Sequence, residues 1–171
     1  AVTDACASPM GAVVIGNNAA QCIRSICTVK GGVYIGLFAG QKQTTNAETN
    51  TYIGTCAGQC ATTASENTLI GLCAGHSITS GSCNTIIGHC AGYEAKTTMC
   101  NTTMMGINSR AGCSVENNVA IGGFSGTGAC RNTSVGNGAG GDTSFNGNDN
   151  VFVGYYSGRC SVTGTPSCNT Y

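Results

Sequence analysis

The chain repeats one short motif nine times. Its most regular copies read NTYIGTCAG, NTLIGLCAG and NTIIGHCAG, and every copy carries glycine at one fixed place. The spacing between successive glycines ranges from 14 to 20 residues and centres near 17. Such a period is typical of proteins built from stacked units that contact only their neighbours. The aligned glycines are Gly16, Gly36, Gly54, Gly71, Gly88, Gly106, Gly122, Gly136 and Gly154.

The segment before each glycine has the composition of a short β-strand. In Thr51–Ile53 and Val151–Val153, β-branched and aromatic residues stand between an Asn and a Gly, which favour turns. One strand per repeat predicts an all-β parallel β-solenoid, a β-roll or β-helix of about nine coils with a ~17-residue repeat. We expect one domain over residues 1–171, with repeats at about 11–158. With coils about 4.8 Å apart, the rod is on the order of 40 Å long.

Asparagine recurs at the entrance of the strands. An Asn side chain tolerates a left-handed turn and can bond to its copy in the next coil. The sequence therefore predicts an asparagine ladder along the rod. Its members are Asn50, Asn67, Asn84, Asn118, Asn132 and Asn150.

Side chains alternate along a strand, so the column directly before the glycine and the column two before it face opposite ways. Both columns are largely apolar. A strand that is apolar on both sides needs cover on both sides, and we expect the second column to be an assembly face against other copies of the chain. The alternative is that the coil, or its loops, covers both faces. The predicted assembly face comprises Tyr34, Tyr52, Leu69, Ile86, Met104 and Phe152.

The composition excludes several function classes. The chain has no Trp, 27 Gly, and only seven basic and seven acidic residues that cancel to zero net charge. No basic patch is available for nucleic acid, and no window free of Gly and Asn has the 3.6-residue period of a helix. No apolar run is long enough for a membrane span. No pair of acids, nucleophile arrangement or phosphate loop is marked by spacing, so we expect neither an enzyme nor a cofactor.

Thirteen cysteines indicate an oxidising compartment, and we expect an extracellular, cell-surface or virion-surface location. Because the number is odd, at least one thiol stays free or pairs with another chain. Cys56, Cys73 and Cys90 share one place with Phe38, Phe124 and Tyr156, which predicts a buried packing column. The other cysteines are disulfide candidates of open connectivity: Cys6, Cys22, Cys27, Cys60, Cys83, Cys100, Cys113, Cys130, Cys160 and Cys168.

The sequence contains candidate ligands for a metal ion and two candidate glycosylation sites. Cys56 with Cys60, and His89 with Cys90, lack the second pair that familiar zinc sites have, so we expect no metal site. Asn101 and Asn132 begin glycosylation sequons, which a repeat rich in Asn and Thr also produces by chance.

The segment NTLIGLCAGHSITSGSC, residues 67–83, resembles the NTxIGxxAG repeats of tail-fibre-like and surface proteins of bacteria, their phages and some large algal viruses. The copy NNVAIGGFSG, residues 117–126, is similar to a repeat in the head domains of trimeric autotransporter adhesins. That resemblance implies trimeric parallel β-rolls with a passive adhesive or structural role. The cysteine density of this chain departs from both families.

These features favour a structural subunit of an extracellular filament or fibre, stacked from solenoid repeats and reinforced by disulfides. Its main partner is then itself, in a head-to-tail polymer or a trimer, because the last five residues copy the lead-in of a repeat. The first alternative is an adhesin or receptor-binding fibre head, whose partner is a host or surface receptor. The second is an ice-binding protein, since Thr51, Thr68 and Thr85 recur every 17 residues.

Overall fold

Nine short parallel strands, one from each motif, stack into a single sheet in the computed structural model of the chain. The structure describes residues 11–23, 31–44, 48–94, 98–111, 116–127, 129–141, 147–158 and 170, and these contain no helix. The predicted all-β parallel solenoid is confirmed. The strands are β1 (Val13–Ile15), β2 (Val33–Ile35), β3 (Thr51–Ile53), β4 (Thr68–Ile70), β5 (Thr85–Ile87), β6 (Thr103–Met105), β7 (Arg110–Ala111), β8 (Val119–Ile121), β9 (Gly126–Thr127), β10 (Thr133–Val135) and β11 (Val151–Val153).

The strands pair in strict register, so each motif position forms a continuous column. The large sheet runs in the order β1-β2-β3-β4-β5-β6-β8-β10-β11, and β7 pairs with β9 in a second sheet. Thr51 pairs with Thr68 and Thr68 with Thr85. Near the end of the chain, Thr170 bridges in parallel to Val151, the first residue of β11. Thr170 therefore extends the column of first strand residues, as its place in the repeat predicts.

The turn after each strand is also bonded from coil to coil. The backbone N–H of Cys73 donates to Thr55 at 2.8 Å, and that of Cys90 donates to Leu72 at 2.8 Å. Two residues further on, Gly75 donates to Ala91 at 2.9 Å. The same pair of bonds recurs along the stack, so the turns are as regular as the strands.

The asparagine ladder is present. The side-chain oxygen Oδ1 of Asn67 accepts the backbone N–H of Asn84 at 3.0 Å and the side-chain N–H of Asn84 at 2.9 Å. The side-chain nitrogen of Asn67 donates to the backbone carbonyl of Gly81 at 2.8 Å. The Asn67 and Asn84 side chains are buried and bonded through both amide and oxygen. The buried side-chain nitrogen of Asn118, in the coil after Thr102, has no hydrogen-bond partner among the described residues. The left-handed residue, however, is the one before each Asn, as at Glu66 and Cys83 with φ near 60°. In the sixth repeat Thr102 takes the ladder position and donates its N–H to Asn84 at 3.0 Å.

The predicted assembly face is wrong, because its side chains form the core. Tyr34, Tyr52, Leu69, Ile86, Met104 and Phe152 are all fully buried within the single chain. The reason lies in the turn that follows each strand, which folds the small residues back over this side of the sheet. Ala57 and Ala74 are buried in the same cluster, and a Cβ added at Gly58 would press on the Tyr52 ring. The coil interior therefore covers this column.

The motif glycine is required for both conformation and spacing. At Gly71 φ is 133°, a value that residues with a side chain rarely adopt. A Cβ added at Gly71 would overlap the carbonyl oxygen of Gly88 in the next coil. Gly154 in the last repeat has a similar φ of 123°, but an added Cβ there meets nothing closer than the Ser157 Cβ at 4.0 Å.

Comparing Gly71→Ala with Gly154→Ala separates the cost of the unusual φ from the cost of overlap with the next coil. Both variants pay the strain of an unusual φ, about 1–3 kcal/mol. Only Gly71→Ala forces adjacent coils apart, so we expect it to lose at least about 3 kcal/mol more in the free energy of unfolding. Urea denaturation in dilute solution measures the difference. Equal losses in the two variants would show that coil contact at this glycine is unimportant.

Two tyrosines make the core sensitive to alkali. Tyr34 and Tyr52 pack edge to face with ring centroids 5.4 Å apart. Burial raises the pKa of the Tyr34 hydroxyl to about 12, and burial together with the Tyr34 charge raises the pKa of the Tyr52 hydroxyl further. The side-chain amide of Asn50 lies beside the Tyr34 hydroxyl and that of Asn67 beside the Tyr52 hydroxyl, and both oppose the rise in pKa. Neither hydroxyl forms a hydrogen bond of full geometry to a described residue.

The folded state should therefore lose stability above about pH 10. There the unfolded chain releases tyrosine protons that the folded chain retains, so stability falls as pH rises, by at most about 1.4 kcal/mol per pH unit for each tyrosine. We expect a shallower loss in Tyr34→Phe/Tyr52→Phe than in the wild type, measured by denaturation between pH 9 and 12. Tyr155→Phe, which alters a side chain 74% exposed, is the matched control. Identical pH profiles for the double variant and the wild type would contradict the prediction.

Candidate functional site

The outer face of the large sheet is uncharged, with one column of Thr and Val and one column of Ile, Met and Val. The first and third residues of each strand point outward, and none of the nine strands contains Asp, Glu, Lys or Arg. At the two ends of the stack the third residues are 58% exposed at Ile15 and 59% exposed at Val153. In the middle, Ile53, Ile70 and Ile87 are half-buried, since the neighbouring coils cover their flanks.

The apolar surface continues past the glycine column. The residue directly after the glycine is exposed at Leu37, Leu72, Ile107 and Tyr155. The exposed side of each strand is therefore the column directly before the glycine, and not the column two before it as predicted from the sequence. The outer face and this added column together make a flat surface of apolar side chains, threonines and, at His89, an imidazole, and this surface carries no carboxylate or ammonium group.

The cysteine column lies outside the core, so its predicted burial is wrong. Cys56, Cys73 and Cys90 are each partly exposed. They adopt φ values of 58°, 55° and 53°, and this left-handed turn directs the side chain outward while the alanine that follows turns inward. Burial, followed by the neighbouring thiols of Cys56 and Cys90, raises the pKa of the Cys73 thiol. The three thiols therefore form a line along the rod in which Cys73 interacts with the thiol on each side of it.

Four of the disulfide candidates have free thiols in the structure: Cys22, Cys60, Cys83 and Cys100. Cys22 and Cys60 occupy the same place two coils apart, with Lys42 between them, and Lys42 Nζ lies 3.8 Å from Cys60 Sγ. Cys83 Sγ donates to Glu66 at 3.1 Å, while Cys100 Sγ accepts the N–H of Ser82 at 3.5 Å. An intrachain bond among these four is not formed, and pairing with another chain stays a prediction.

Of the remaining disulfide candidates, Cys130 lies within the described residues. The backbone N–H of Cys130 donates to the Asn148 side chain at 3.0 Å. Cys6, Cys27, Cys113, Cys160 and Cys168 lie outside the described residues.

A second polar ladder, which the sequence analysis missed, runs along one edge of the turns. Gln41 donates to Gln21 at 2.9 Å and Gln59 donates to Gln41 at 2.8 Å. His76 Nε2 lies 3.0 Å from the Gln59 oxygen, and the His76 ring stacks on Tyr93 at 5.0 Å. Burial, and then the Lys42 charge, lowers the pKa of His76, so the imidazole is a half-buried neutral donor in the ladder. The sequence signal for this column is the residue five positions after each motif glycine, which is Gln21, Gln41, Gln59 and His76 in the first four repeats.

An aromatic groove opens where Phe124 and Tyr156 take the place of the cysteines, on either side of Gly138 in the coil between them. It has a volume of about 360 Å³ and is lined by Arg110, Phe124, Gly138, Gly141 and Tyr156. The glycines are needed there, because an added Cβ at Gly138 would overlap the Tyr156 ring. This volume lies within the usual range for small-ligand sites. Arg110 also lies 3.5 Å from Glu94.

The two glycosylation sequons differ in access. Asn101 is exposed, whereas Asn132 is buried in the asparagine ladder. The Asn132 amide donates to Gly147 at 2.8 Å and its oxygen accepts the N–H of Asn150 at 2.9 Å. The Asn132 side chain is therefore closed to modification in the folded chain, and only the Asn101 sequon is accessible.

No protein-family model matches this chain, and neither a curated protein nor a solved structure matches it significantly. Within the described ranges, no group of three or more His, Cys, Asp and Glu side chains is arranged to hold a metal ion. The same ranges contain no helix of the length and apolarity that crossing a membrane requires.

Proposed function

We propose that the chain is a structural subunit of an extracellular filament or fibre, assembled from copies of itself. The observation that carries this proposal is the charge-free outer face of the nine-stranded sheet. Soluble monomers rarely expose a continuous apolar surface larger than a few hundred Å². The resemblance of the repeats to fibre and surface proteins, and the high cysteine content, support the same function and location.

The size of the face suits a contact between copies. Nine strands about 4.8 Å apart give a height on the order of 40 Å, and a three-residue strand is about 10 Å wide. Two such faces would bury roughly 800–1,200 Å² together, near the lower end for a specific interface. The adjacent column at Leu37, Leu72 and Ile107 enlarges it.

The regular spacing of the face favours a second copy over an unrelated partner. The outward side chains repeat once per coil in strict register. A second copy presents ridges with the same spacing, so the two faces can interlock along their whole length. Head-to-tail growth is a further part of the proposal, supported by Thr170, which already extends the stack beyond β11.

A charge placed in the centre of the face tests the proposal. Ile70→Lys puts an ammonium group on the outer face of β4, where it leaves the core intact. An unpaired charge in a dry contact costs several kcal/mol, so we expect assembly to need at least about 100-fold more protein. Thr63→Lys adds the same charge at an exposed turn and is the control. Light scattering and electron microscopy across a concentration series give the measurement.

Two results would contradict this function. One is wild-type protein that stays monomeric at every concentration, and the other is Ile70→Lys protein that assembles as the control does. A monomer that slows ice recrystallisation would instead favour the ice-binding alternative. That alternative has its own support, since the outward column holds Thr51, Thr68, Thr85 and Thr103 in register.

The groove supports the second candidate, a fibre head that binds a surface receptor. Aromatic rings at Phe124 and Tyr156 beside an arginine fit a flat ring that carries a carboxylate, such as an acidic sugar. Screening immobilised acidic glycans with wild type and Tyr156→Ala tests this function. We expect at least tenfold weaker binding by the variant, while Leu72→Ala, which alters an exposed side chain that does not line the groove, binds as wild type. Equal binding by wild type and Tyr156→Ala would exclude the groove as the receptor site.

A further inference from the structure

Cys56, Cys73 and Cys90 place three thiols in a straight line on consecutive coils. Hydrogen bonds of 2.8 Å from Cys73 to Thr55 and from Cys90 to Leu72 hold the turns at the spacing of the coils. That spacing is about 4.8 Å, so Cys56 and Cys90 are about 9.6 Å apart with Cys73 midway. The Cys73 thiol interacts with both neighbouring thiols, and all three are partly exposed.

None of the residues on either side of the three cysteines in the chain is Asp, Glu, Lys or Arg. The residues directly before the thiols are Thr55, Leu72 and His89, and the residues after them are buried alanines. The His89 Nε2 atom lies 4.0 Å from Cys90 Sγ. The line ends where Phe38 and Asn108 take the same place in the flanking coils. Sulfur is therefore the main donor, and thiolate sulfur selects soft cations such as Cu(I) over Mg²⁺ or Ca²⁺.

We propose that this cysteine line binds two Cu(I) ions, each held between the thiolates of adjacent coils, with Cys73 shared by both ions. The outer two thiols are too far apart to meet at one ion, so the site is linear and not a three-ligand cluster. Binding releases three protons to solvent and leaves a net charge of −1 on the three thiolates and two cations. Copper remains Cu(I), and no electron is transferred. This inference does not depend on filament assembly.

Because the central thiol is shared by both ions, the number of Cu(I) ions lost depends on which cysteine is removed. Removing Cys73 leaves no adjacent pair, whereas removing Cys56 or Cys90 leaves one pair. Serine at any of these places should fold, because the same column accepts Asn18, Phe38, Asn108 and Tyr156 in other coils. Cys73→Ser should therefore lose two Cu(I) ions relative to the wild type, while Cys56→Ser and Cys90→Ser each lose one.

The experiment is an anaerobic titration of the reduced full chain with Cu(I) in competition with a Cu(I) chelator, with bound ions counted by native mass spectrometry. Differences between variants cancel any binding at the other cysteines. Cys60→Ser, which removes a thiol outside the line, should leave the further ion losses on replacing Cys56, Cys73 or Cys90 unchanged. As a second measurement, Cu(I) should protect Cys56, Cys73 and Cys90 from alkylation by iodoacetamide, read by peptide mapping.

Three results would overturn the proposal. Equal loss of one ion by all three variants would mean that each thiol binds independently. An unchanged ion count in Cys73→Ser would mean that the line binds no copper. Resistance of two of the three thiols to alkylation before any copper is added, reversed by a reductant, would mean that the line holds a disulfide instead.

Discussion

The close stacking of the motif glycines is the contact on which the rest of the structure depends. Each of these residues lies at a φ near 130°, and at every one except Gly154 the carbonyl oxygen of the next motif glycine occupies the space where a side chain would begin. This packing brings the coils to the spacing of a parallel sheet and fixes their register. Register in turn converts every sequence position into a column. The asparagine ladder, the glutamine ladder, the cysteine line and the outer face are all consequences of that one alignment.

Columns change what a single side chain can do. A lone buried Asn must find partners for an amide and a carbonyl, which is costly when either fails. In the stack, Asn67 meets copies of itself above and below, and the same geometry supplies a backbone carbonyl at Gly81. Gln41 and Gln59 form the same kind of side-chain ladder at a more exposed place, and His76 donates to the oxygen of Gln59 at the end of it. Repetition thus turns a polar group that would destabilise a core into a continuous bonded line.

The sequence predicted the columns but not which side of the sheet they face. Alternation along Thr51–Ile53 separates two sets of side chains, yet it is symmetric between inside and outside. The turn after the strand determines which set is buried, because Ala57 and Gly58 fold back over the side of the sheet that holds Tyr52 and cover its ring. A column limited to Ala and Ser therefore marks the core side. The outward turn at Cys73 was signalled by Asn18 and Asn108 in the same column, since Asn favours the left-handed conformation. The groove at Arg110 and Tyr156 could not be predicted, since its members come from separate repeats.

The outer face and the cysteine line lie on one continuous side of the rod. Passing along a single repeat from Ile70, the chain crosses Gly71 and the exposed Leu72 before it reaches Cys73. A second copy covering the isoleucine column would therefore leave the thiols at the rim of the contact, where an interface is normally polar and accessible. Packing between copies and binding of soft cations would then use adjacent columns without competing for the same side chains. Because each column is set by register and not by its neighbour, a change in one leaves the geometry of the other in place.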